Sequence, residues 1–442
     1  MTSVPRSRQP SARESSQGGA QRYAATVVEA QGNTAPEVSE DEFRAEAEGF
    51  LGANARLKPP RRTAFGEGSD EVSLFPERSV EQEADEVAEA MSWARKVFDA
   101  GFGWITGPRS YGGRGLPRSY EALYRSLEAR YETPSQAPRL IGLGMIAPTI
   151  LAHGTEAAKR RYLRALYRGE IIACQLFSEP AAGSDLASVR TRAVRDGDEW
   201  VVNGQKVWTS GAQYSAIGEI LCRSDTELPK HRGLSAFIVD MAAPGVEVRP
   251  LRQMTGGASF NEVFFTDVSI PADHLLGEVN GGWAVALTTL MNERAAIGGG
   301  GTGGGSSGGA DLSRLVALAR HLGVAGDPLI RQEIADTWIN LRVARYNNER
   351  ALAKIRSGQP PGPELSIAKL TLTENLRRTA ELAAHILGPR ITADSGEWGT
   401  FAWSKFLLGA PGMRVAGGTD EVMRNILGER VLGLPKEPPE PQ

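Results

Sequence analysis

Apolar and polar positions follow three successive patterns along the 442-residue chain. Between residues 39 and 168, apolar side chains recur at the spacing of amphipathic helices. Between residues 170 and 275, short apolar runs of strand length are separated by turn residues, and helical patterns return after Gly282. This order predicts a multidomain α+β protein with an all-α N-terminal domain, an antiparallel β-barrel domain in the middle and C-terminal helices.

The same patterns place the domain boundaries. The predicted segments are a tail at 1–38, an α-helical domain at 39–169, a β-barrel domain at 170–279, a helical domain at 280–436 and a tail at 437–442. We expect the first tail to be disordered, because its Ser-, Gln-, Gly- and Arg-rich composition buries too little apolar surface to offset its ordering entropy. The glycine-rich run 298–309 follows a helical pattern instead of a strand, which favours a flexible link over a phosphate-binding loop.

Several helix ends carry recognisable signals. Ser39 with Glu42, and Ser79 with Gln82, have the spacing of capping boxes. The Pro/Gly-rich segment 359–362 separates two long helical patterns and predicts the turn of an αα-hairpin.

The β-rich region contains two dipeptides that are typical of tight hairpins. Asp196-Gly197 lies between two strand-like runs, and Asn203-Gly204 follows shortly afterwards. We therefore predict a hairpin turn at each of them. The apolar run Ile171–Phe177 is a further predicted strand.

Composition excludes several classes of protein. A net charge of −3 and 23% charged residues show no basic footprint for nucleic acid. No apolar run approaches the roughly 20 residues of a membrane span. The histidines occur singly, which predicts no metal site. Cys174 and Cys222 are expected to be buried thiols in a reducing compartment, and we predict a cytoplasmic protein.

Two segments of the β-rich region carry candidate chemistry. Residues 178–185 read Ser-Glu-Pro-Ala-Ala-Gly-Ser-Asp, a turn whose small residues leave backbone N–H groups available to a flavin edge or a pyrophosphate. Residues 203–211 end a strand with Trp208 and hydroxyl side chains, which suits packing on an isoalloxazine. Each segment alone is equally consistent with an ordinary turn and a core tryptophan, whereas the two at this spacing are more specific.

With these segments the chain resembles the acyl-CoA dehydrogenase family from about residue 39 to 436. The matching segments are 179–185, 203–208, 264–271, 281–283 and 418–424. The resemblance implies an α domain, a β-barrel domain, a C-terminal four-helix bundle and bound FAD. It also implies a dimer or tetramer, because a second subunit usually completes the adenine half of the FAD site in this family.

The resemblance assigns residues to cofactor and substrate. In the β domain it implies that the flavin is lined by Leu176, Phe177, Ser178, Gly183, Ser184, Trp208 and Ser210. In the helical domain it implies FAD contacts from Arg320, His385, Gly388, Thr419 and Glu421. Ser184 and Arg294 are the implied substrate contacts.

The chain departs from the family pattern in the helical domain. The usual Arg-x-x-Phe-Gly element is missing, and Arg320 followed by Leu322-Gly323 is the nearest substitute. The usual Gln-x-x-Gly segment reads His385 to Gly388. The FAD contacts implied for this domain therefore match the family less well than those of the β domain.

The expected catalytic carboxylate is also missing from its usual place. Many members read Tyr-Glu-Gly-Thr, whereas residues 416–419 read Ala-Gly-Gly-Thr, so Gly417 offers a backbone N–H but no base. Isovaleryl-CoA and long-chain acyl-CoA dehydrogenases carry the base on another helix, immediately before an Arg, and this chain has Glu293-Arg294 at that point. The resemblance thus implies that Glu293 removes the substrate α proton, while the Gly417 N–H and an FAD hydroxyl hold the thioester oxygen.

Other roles for these carboxylates remain open. In an apolar pocket Glu293 is expected to have a raised pKa, as a general base requires. The alternative is that Glu293 pairs with a surface cation, as helical glutamates commonly do. Glu421 and Glu262 are weaker candidates for the base.

The predicted function is FAD-dependent α,β-dehydrogenation of an acyl-CoA or carrier-bound acyl thioester, with electrons passed to an electron-transferring flavoprotein. Two alternatives stand beside it. One is a non-catalytic or half-active subunit of a hetero-oligomer, and the other is a flavin oxidase or monooxygenase on the same fold. A homo- or hetero-oligomer is expected in each case, with no nucleic-acid partner.

Overall fold

The structure, a computed structural model, describes residues 38–59, 65–298, 310–356, 362–363 and 366–436. The predicted tails, the glycine-rich link and the turn at 359–362 fall outside these residues, apart from residues 38, 298 and 362. The chain forms two compact units. One comprises the described residues of 1–58, 84–249 and 262–290, and the other those of 59–83, 250–261 and 291–442.

The N-terminal part is mainly helical. Its helices are α1 (Glu40–Asn54), α2 (Val80–Asp99), α3 (Arg118–Glu128), α4 (Ala147–His153) and α5 (Glu156–Arg168). Both predicted capping boxes are confirmed. The Ser39 N–H donates to Glu42 Oε2 at 2.9 Å and the Glu42 N–H donates to Ser39 Oγ at 3.3 Å. Ser79 and Gln82 exchange the same two bonds at 3.0 and 3.2 Å.

Two features of this part were not predicted. Strands β1 (Arg56–Leu57) and β2 (Tyr131–Glu132) form a short antiparallel pair among the helices. A π-helical turn at Gly142–Ile146 precedes α4, so the helical pattern is interrupted there. Prolines and glycines in this stretch explain the interruption, since they disfavour a continuous α-helix.

The middle of the chain is β-rich, as predicted. Its strands are β3 (Ala173–Leu176), β4 (Arg192–Asp196), β5 (Glu199–Ser210), β6 (Ile217–Arg223), β7 (Leu234–Asp240), β8 (Val246–Leu251), β9 (Phe260–Pro271) and β10 (Leu275–Leu276). They follow the order β10-β7-β6-β4-β5-β9-β8, with β3 paired to β6. Among the described pairings the sheet is open instead of a closed barrel. It is mixed, because β3 and β4 each run parallel to β6.

One of the two predicted hairpins is confirmed and the other is wrong. β4 and β5 pair antiparallel across a turn at Gly197-Asp198, next to the predicted dipeptide. Asn203-Gly204, in contrast, lies inside the continuous strand β5. A Cβ on Gly204 would lie 2.7 Å from the Cα of Thr191, so the glycine permits a close backbone approach instead of a turn.

The C-terminal part is helical. Its helices are α6 (Gly282–Gly298), α7 (Leu312–His321), α8 (Pro328–Arg356), α9 (Ser366–Leu387), α10 (Ala402–Val415) and α11 (Asp420–Ile426). The local pattern did not predict α10, because Pro411 lies inside it. Cβ atoms added to Gly409 and Gly412 would each lie 3.3 Å from the Phe75 ring, so these glycines allow the aromatic side chain to pack against the helix.

Two findings bear on the predicted classes. None of the helices in the described part of the chain combines the length and the apolarity needed to cross a membrane. Cys174 and Cys222 are buried and free, as predicted, and burial raises the pKa of both thiols to about 12. Neither thiol is therefore a nucleophile near neutral pH.

Candidate functional site

The turn at 178–185 is attached to strand β5 by a buried ion pair. Lys206 is fully buried on β5, and its Nζ donates to Glu179 Oε1 at 2.9 Å. The same Nζ donates to the carbonyl oxygens of Phe177 at 2.9 Å and Leu221 at 2.7 Å. The three bonds use the full donor capacity of the ammonium group. The two sequence motifs are therefore joined through their own charged residues.

Glu179 is satisfied on its other side by the backbone. It accepts hydrogen bonds from the N–H groups of Arg190 at 2.7 Å and Thr191 at 2.8 Å. Burial works to raise the pKa of Glu179, but the Lys206 charge and these hydrogen bonds outweigh it and lower the pKa. Glu179 is thus an ionised structural group that orders the turn.

Trp208 has an unusual backbone conformation for a bulky residue. Its φ is 63°, in the left-handed region, and its side chain is 60% exposed although it lies in a strand. The neighbouring Val207 N–H donates to the Ser178 carbonyl at 2.9 Å, which fixes the strand beside the turn. A strained conformation that presents an apolar ring to solvent is typical of a ligand-binding position.

The other β-domain residues implied to line the flavin differ in how exposed they are. Leu176 and Phe177 are buried, whereas Ser178 and Ser210 are half-buried. Gly183 and Ser184 are exposed in the turn, and a Cβ on Gly183 would meet no atom within 4 Å. The ion pair and the Ser178–Val207 bond hold the turn beside the end of β5, so this part of the predicted set is brought together.

The candidate base lies on α6 in the second compact unit. Glu293 and the adjacent Arg294 are both half-buried, and the charge of Glu293 acts on Arg294. Burial lowers the pKa of Arg294, the Glu293 charge opposes this shift, and Arg430 adds to it. The guanidinium is therefore desolvated and electrostatically coupled to the carboxylate that precedes it.

Gly417 lies in a tight turn between α10 and α11. Gly417 and Gly418 have φ angles of 68° and 93°, which glycine adopts without strain. Thr419 caps α11, because its hydroxyl accepts from the Val422 N–H at 3.2 Å. The turn therefore presents backbone where many members of the resembling family carry a carboxylate.

A buried network that sequence reasoning missed joins both ends of this turn. Asp420 and Lys369 are both buried, with Lys369 Nζ 3.1 Å from Asp420 Oδ1. Thr373 donates to the same oxygen at 2.7 Å, and Arg414 Nε donates to Oδ2 at 2.8 Å. Burial works to raise the pKa of Asp420, but these hydrogen bonds outweigh it and lower the pKa. A lysine on the apolar face of α9 was the signal available in the sequence.

Comparison with known proteins identifies the family. Residues 68–170, 174–268 and 280–432 match the N-terminal, middle and C-terminal domains of acyl-CoA dehydrogenases. The chain belongs to the acyl-CoA dehydrogenase family. It is accordingly an oxidoreductase of the family's three-domain fold.

Individual relatives extend the match over nearly the whole chain. Acyl-CoA dehydrogenase IpdE1 of Mycobacterium tuberculosis is 37% identical over 400 residues, covering 90% of this chain and 98% of the relative. The solved Tcur3481-Tcur3483 steroid ACAD has a TM-score of 0.68 at 25% identity, covering 97% of this chain and 99% of that one. The ChsE4-ChsE5 complex from Mycobacterium tuberculosis has a TM-score of 0.65 at 26% identity, covering 92% and 100%.

Acyl-CoA dehydrogenases depend on FAD, and the β domain of this member fits that cofactor. The exposed ring of Trp208 offers an apolar surface to an isoalloxazine, and the open turn at Gly183 leaves room beside it. Ser178, Ser184 and Ser210 add hydroxyl groups that can bond polar atoms of the cofactor. These residues would hold the flavin half of FAD.

The family's FAD contacts from the helical domain look different in this chain. His385 Nδ1 lies 2.8 Å from Glu333 Oε2, so a carboxylate occupies one nitrogen of this imidazole. Glu421 is exposed near Arg424, and Arg320 is exposed at the end of α7. Gly388 has a φ of 53° and open space around its Cα. Two of the five implied positions, His385 and Glu421, therefore contact or carry a carboxylate, whereas Arg320 lines a cavity with Arg342 and Arg345.

Proposed function

We propose that this enzyme removes the α and β hydrogens of an acyl-CoA thioester to give the trans-2-enoyl-CoA and passes the electrons to an electron-transferring flavoprotein. The observation that carries the proposal is a complementary pair of positions. Gly417 has no side chain in the turn where many relatives place their base, and Glu293 precedes the desolvated Arg294 on α6.

The chemistry assigns separate tasks to these residues. A thioester α proton is weakly acidic, so its removal requires a positioned carboxylate and a donor to the developing enolate oxygen. Glu293 takes the α proton, and the Gly417 N–H donates to the thioester oxygen. Bound FAD supplies the acceptor for the β hydrogen as hydride. Trp208 and the turn at 178–185 orient the cofactor and exclude water from its face.

The acyl group proposed for this enzyme is bulky, either branched or polycyclic. Support comes from the similarity to a solved steroid acyl-CoA dehydrogenase at 25% identity over nearly the whole chain. Relocation of the base to α6 also resembles the isovaleryl-CoA and long-chain enzymes. Ser184 and Arg294 are the proposed contacts to the thioester substrate.

The test is an anaerobic titration of the FAD-loaded protein with linear, branched and steroid-type acyl-CoA thioesters. We expect the flavin absorbance to bleach most efficiently with a bulky thioester and the reduced enzyme to reduce an added electron-transferring flavoprotein. Glu293→Gln should slow the bleaching by at least about 10²-fold while FAD stays bound, because general base catalysis typically contributes that much.

A matched control uses another helical glutamate. Glu121 lies on α3 and pairs with Arg125, so Glu121→Gln removes a carboxylate of the same type from an exposed ion pair. We expect it to bleach at the wild-type rate. Turnover retained in Glu293→Gln would remove Glu293 from the mechanism, and oxygen consumption without any thioester would instead indicate an oxidase.

A second candidate is that the chain works as one subunit of a hetero-oligomer. The outer stripe of α8, formed by Ile339, Val343 and Tyr346, supports this candidate. These side chains are 52%, 48% and 61% exposed and recur at helical spacing, so they form a continuous apolar face. The similar ChsE4-ChsE5 protein is itself a complex of two different chains.

Expression with and without a paralogue from the same genome distinguishes the two candidates. If the chain alone binds FAD and is reduced by thioesters, it is a complete enzyme. A requirement for the paralogue, with one FAD for each pair of chains, would indicate the shared site.

A further inference from the structure

Glu219 is a buried carboxyl group that none of the motifs explains. It lies in the middle of β6 with 0% exposure. Its cross-strand neighbours are Gln175 on β3 and Ile238 on β7, both uncharged. On the same face of β6, Ile217 and Leu221 pack into a core cluster with residues of α4 and α6. A carboxyl group in such a place requires a specific partner, since burial alone opposes its charge.

That partner is a chain of hydroxyl groups that crosses from β6 to two helices. Glu219 Oε1 lies 2.7 Å from the Thr289 hydroxyl on α6. The Thr289 hydroxyl lies 2.9 Å from the Thr149 hydroxyl on α4. Thr149 in turn lies 2.8 Å from the Met145 carbonyl oxygen. The contact links the sheet to α6 and α4 through side chains alone.

The two threonine hydroxyls have more acceptors within reach than protons to donate. Thr149 lies within reach of the Met145 carbonyl oxygen and of Thr289, and Thr289 lies 2.7 Å from Glu219 and 3.3 Å from the Val285 carbonyl oxygen. If Glu219 is a carboxylate, Thr289 donates to it and two protons serve these four contacts. A carboxylic acid that donates to Thr289 supplies a third proton, so one more of the contacts becomes a hydrogen bond.

Two further observations agree with a neutral acid. Glu219 Oε2 is buried without a hydrogen-bond partner among the described residues, which costs far less for a neutral acid than for a carboxylate. Burial raises the pKa of Glu219 to about 8, and the bond to Thr289 only partly opposes this rise.

Charged or titratable side chains of the described residues approach this contact from three elements. On α4, His153 Nε2 lies 2.8 Å from the hydroxyl of Thr288, the residue before Thr289. After β9, the buried His274 lies with its Nδ1 3.1 Å from the carbonyl oxygen of Ile238, the cross-strand neighbour of Glu219. From β5, Lys206 reaches the Leu221 carbonyl on β6, but its charge is balanced by Glu179. His153 and His274 are therefore the titratable neighbours that an experiment must separate from Glu219.

We propose that Glu219, held as a neutral acid, is a positioning residue that fixes the rotation and height of α6 through Thr289 and thereby orients the base Glu293. Thr289 and Glu293 are four residues apart within the helix Gly282–Gly298, so they share one helix face. This inference rests on the proposed role of Glu293. When Glu219 loses its proton, this network loses one hydrogen bond and a charge is left among buried apolar side chains, so the anchor of this face weakens.

The first experiment measures the rate of flavin bleaching by a thioester against pH. We expect the wild-type rate to fall about tenfold or more above pH 8, because small misplacements of a catalytic group cost this much. Glu219→Gln keeps a donor towards Thr289 but cannot ionise, so it should retain the neutral rate and lose the alkaline fall. Thr289→Val should be slow at every pH, and Thr289→Ser should restore the rate.

His153→Gln and His274→Gln are the matched controls, since each removes a neighbouring titratable group and keeps a side chain that can form a hydrogen bond. Both should leave the alkaline fall in place. The inference is overturned if Glu219→Gln retains that fall, or if a folded Thr289→Val with full FAD content bleaches at the wild-type rate.

A second measurement does not depend on catalysis. An infrared difference spectrum of the wild-type protein, between neutral pH and a pH well above 8, should contain the C=O band of a carboxylic acid that disappears at the higher pH, and a folded Glu219→Gln would assign the band. Absence of the band at neutral pH overturns the inference even if a substituted protein does not fold. If no thioester bleaches the wild-type flavin, the proposed function fails, whereas bleaching that depends on Glu293 but not on Glu219 removes this inference alone.

Discussion

At the scale of single residues, the motif positions of this chain serve two different purposes. Trp208 is exposed and strained, as a ligand-facing residue would be, whereas Glu179 and Lys206 in the same motifs are buried and paired with each other. The motif charges therefore build the scaffold, and the small and aromatic residues beside them face outward. A sequence pattern alone does not separate these purposes, because both appear as polar residues near a strand end.

Lys206→Met tests whether the buried ion pair of Lys206 and Glu179 stabilises the fold. Removing one member of a buried ion pair leaves Glu179 with an uncompensated charge, so we expect the free energy of unfolding to fall by about 3–5 kcal/mol. Chemical denaturation measures this change. Lys230→Met is the control, because Lys230 forms an exposed pair with Asp185 and should cost at most about 1 kcal/mol. Equal losses in the two variants would contradict the assignment.

Glu219 predicts a distinct dependence of stability on pH. Its ordinary pKa is 4.5, and its pKa in the folded protein is about 8. Below pH 4.5 the folded and the unfolded protein both hold the Glu219 proton, so its ionisation does not affect stability. Between pH 4.5 and about 8 only the unfolded protein releases this proton, so the free energy of unfolding falls as the pH rises. Relative to Glu219→Gln, the wild type should lose about 1.4 kcal/mol for each pH unit in this window and then level off.

Unfolding free energies of the two proteins at a series of pH values check this slope. The difference between them is the informative quantity, because other titrating groups cancel. A difference that stays constant across the window would show that Glu219 is ionised in the folded protein.

At the scale of elements, the sequence pattern located the long helices but failed where a glycine or proline is required by packing against a distant residue. α8 and α9 lie on either side of the segment 359–362, which the pattern predicts to separate two long helices. The pattern did not predict α10, because Gly409, Pro411 and Gly412 read as breakers although Phe75 packs against the helix there. The turn predicted at Asn203-Gly204 is wrong for a similar reason, because Gly204 permits the backbone of Thr191 to approach closely.

Gly204→Ala tests that explanation. Its Cβ would lie 2.7 Å from the Thr191 Cα, which is backbone and cannot move aside, so we expect a loss of about 1–3 kcal/mol in unfolding free energy. Gly52→Ala is the control within α1, where nothing lies within 4 Å of the added Cβ. It should instead gain about 0.5–1 kcal/mol, because alanine favours the helix. Thermal unfolding of both variants measures these changes, and an unchanged stability of Gly204→Ala would contradict the explanation.

At the scale of the whole molecule, the outer stripe of α8 is an apolar surface that a monomer would leave in water. We propose that a second acyl-CoA dehydrogenase chain covers it, since neighbours of this fold include complexes of two chains. His385 and Arg320, where the chain departs from the family's FAD-binding pattern, also favour a partner chain. Such a chain can supply the missing contacts to the adenine half of FAD.

Val343→Glu places a charge in the centre of this surface. We expect light scattering after size exclusion to show a halved particle mass, with secondary structure unchanged, because burying an unpaired charge opposes association. Val80→Glu, a similar change at an exposed valine of α2, should leave the mass unchanged. A wild-type protein that is already monomeric, with or without its paralogue, would exclude the interface.

Sequence by itself determined the family, the order of helical and β-rich segments and the β-domain residues proposed to contact the flavin, because these follow from local periodicity and contiguous motifs. It also singled out Gly417 and Glu293 as a complementary pair. Only the tertiary structure revealed the open, mixed sheet, the buried pairs of Lys206 and Lys369, and the hydroxyl chain from Glu219 to Met145. Each of these joins residues far apart in the chain, and a buried polar group acquires its charge state and its partner only when distant elements pack around it.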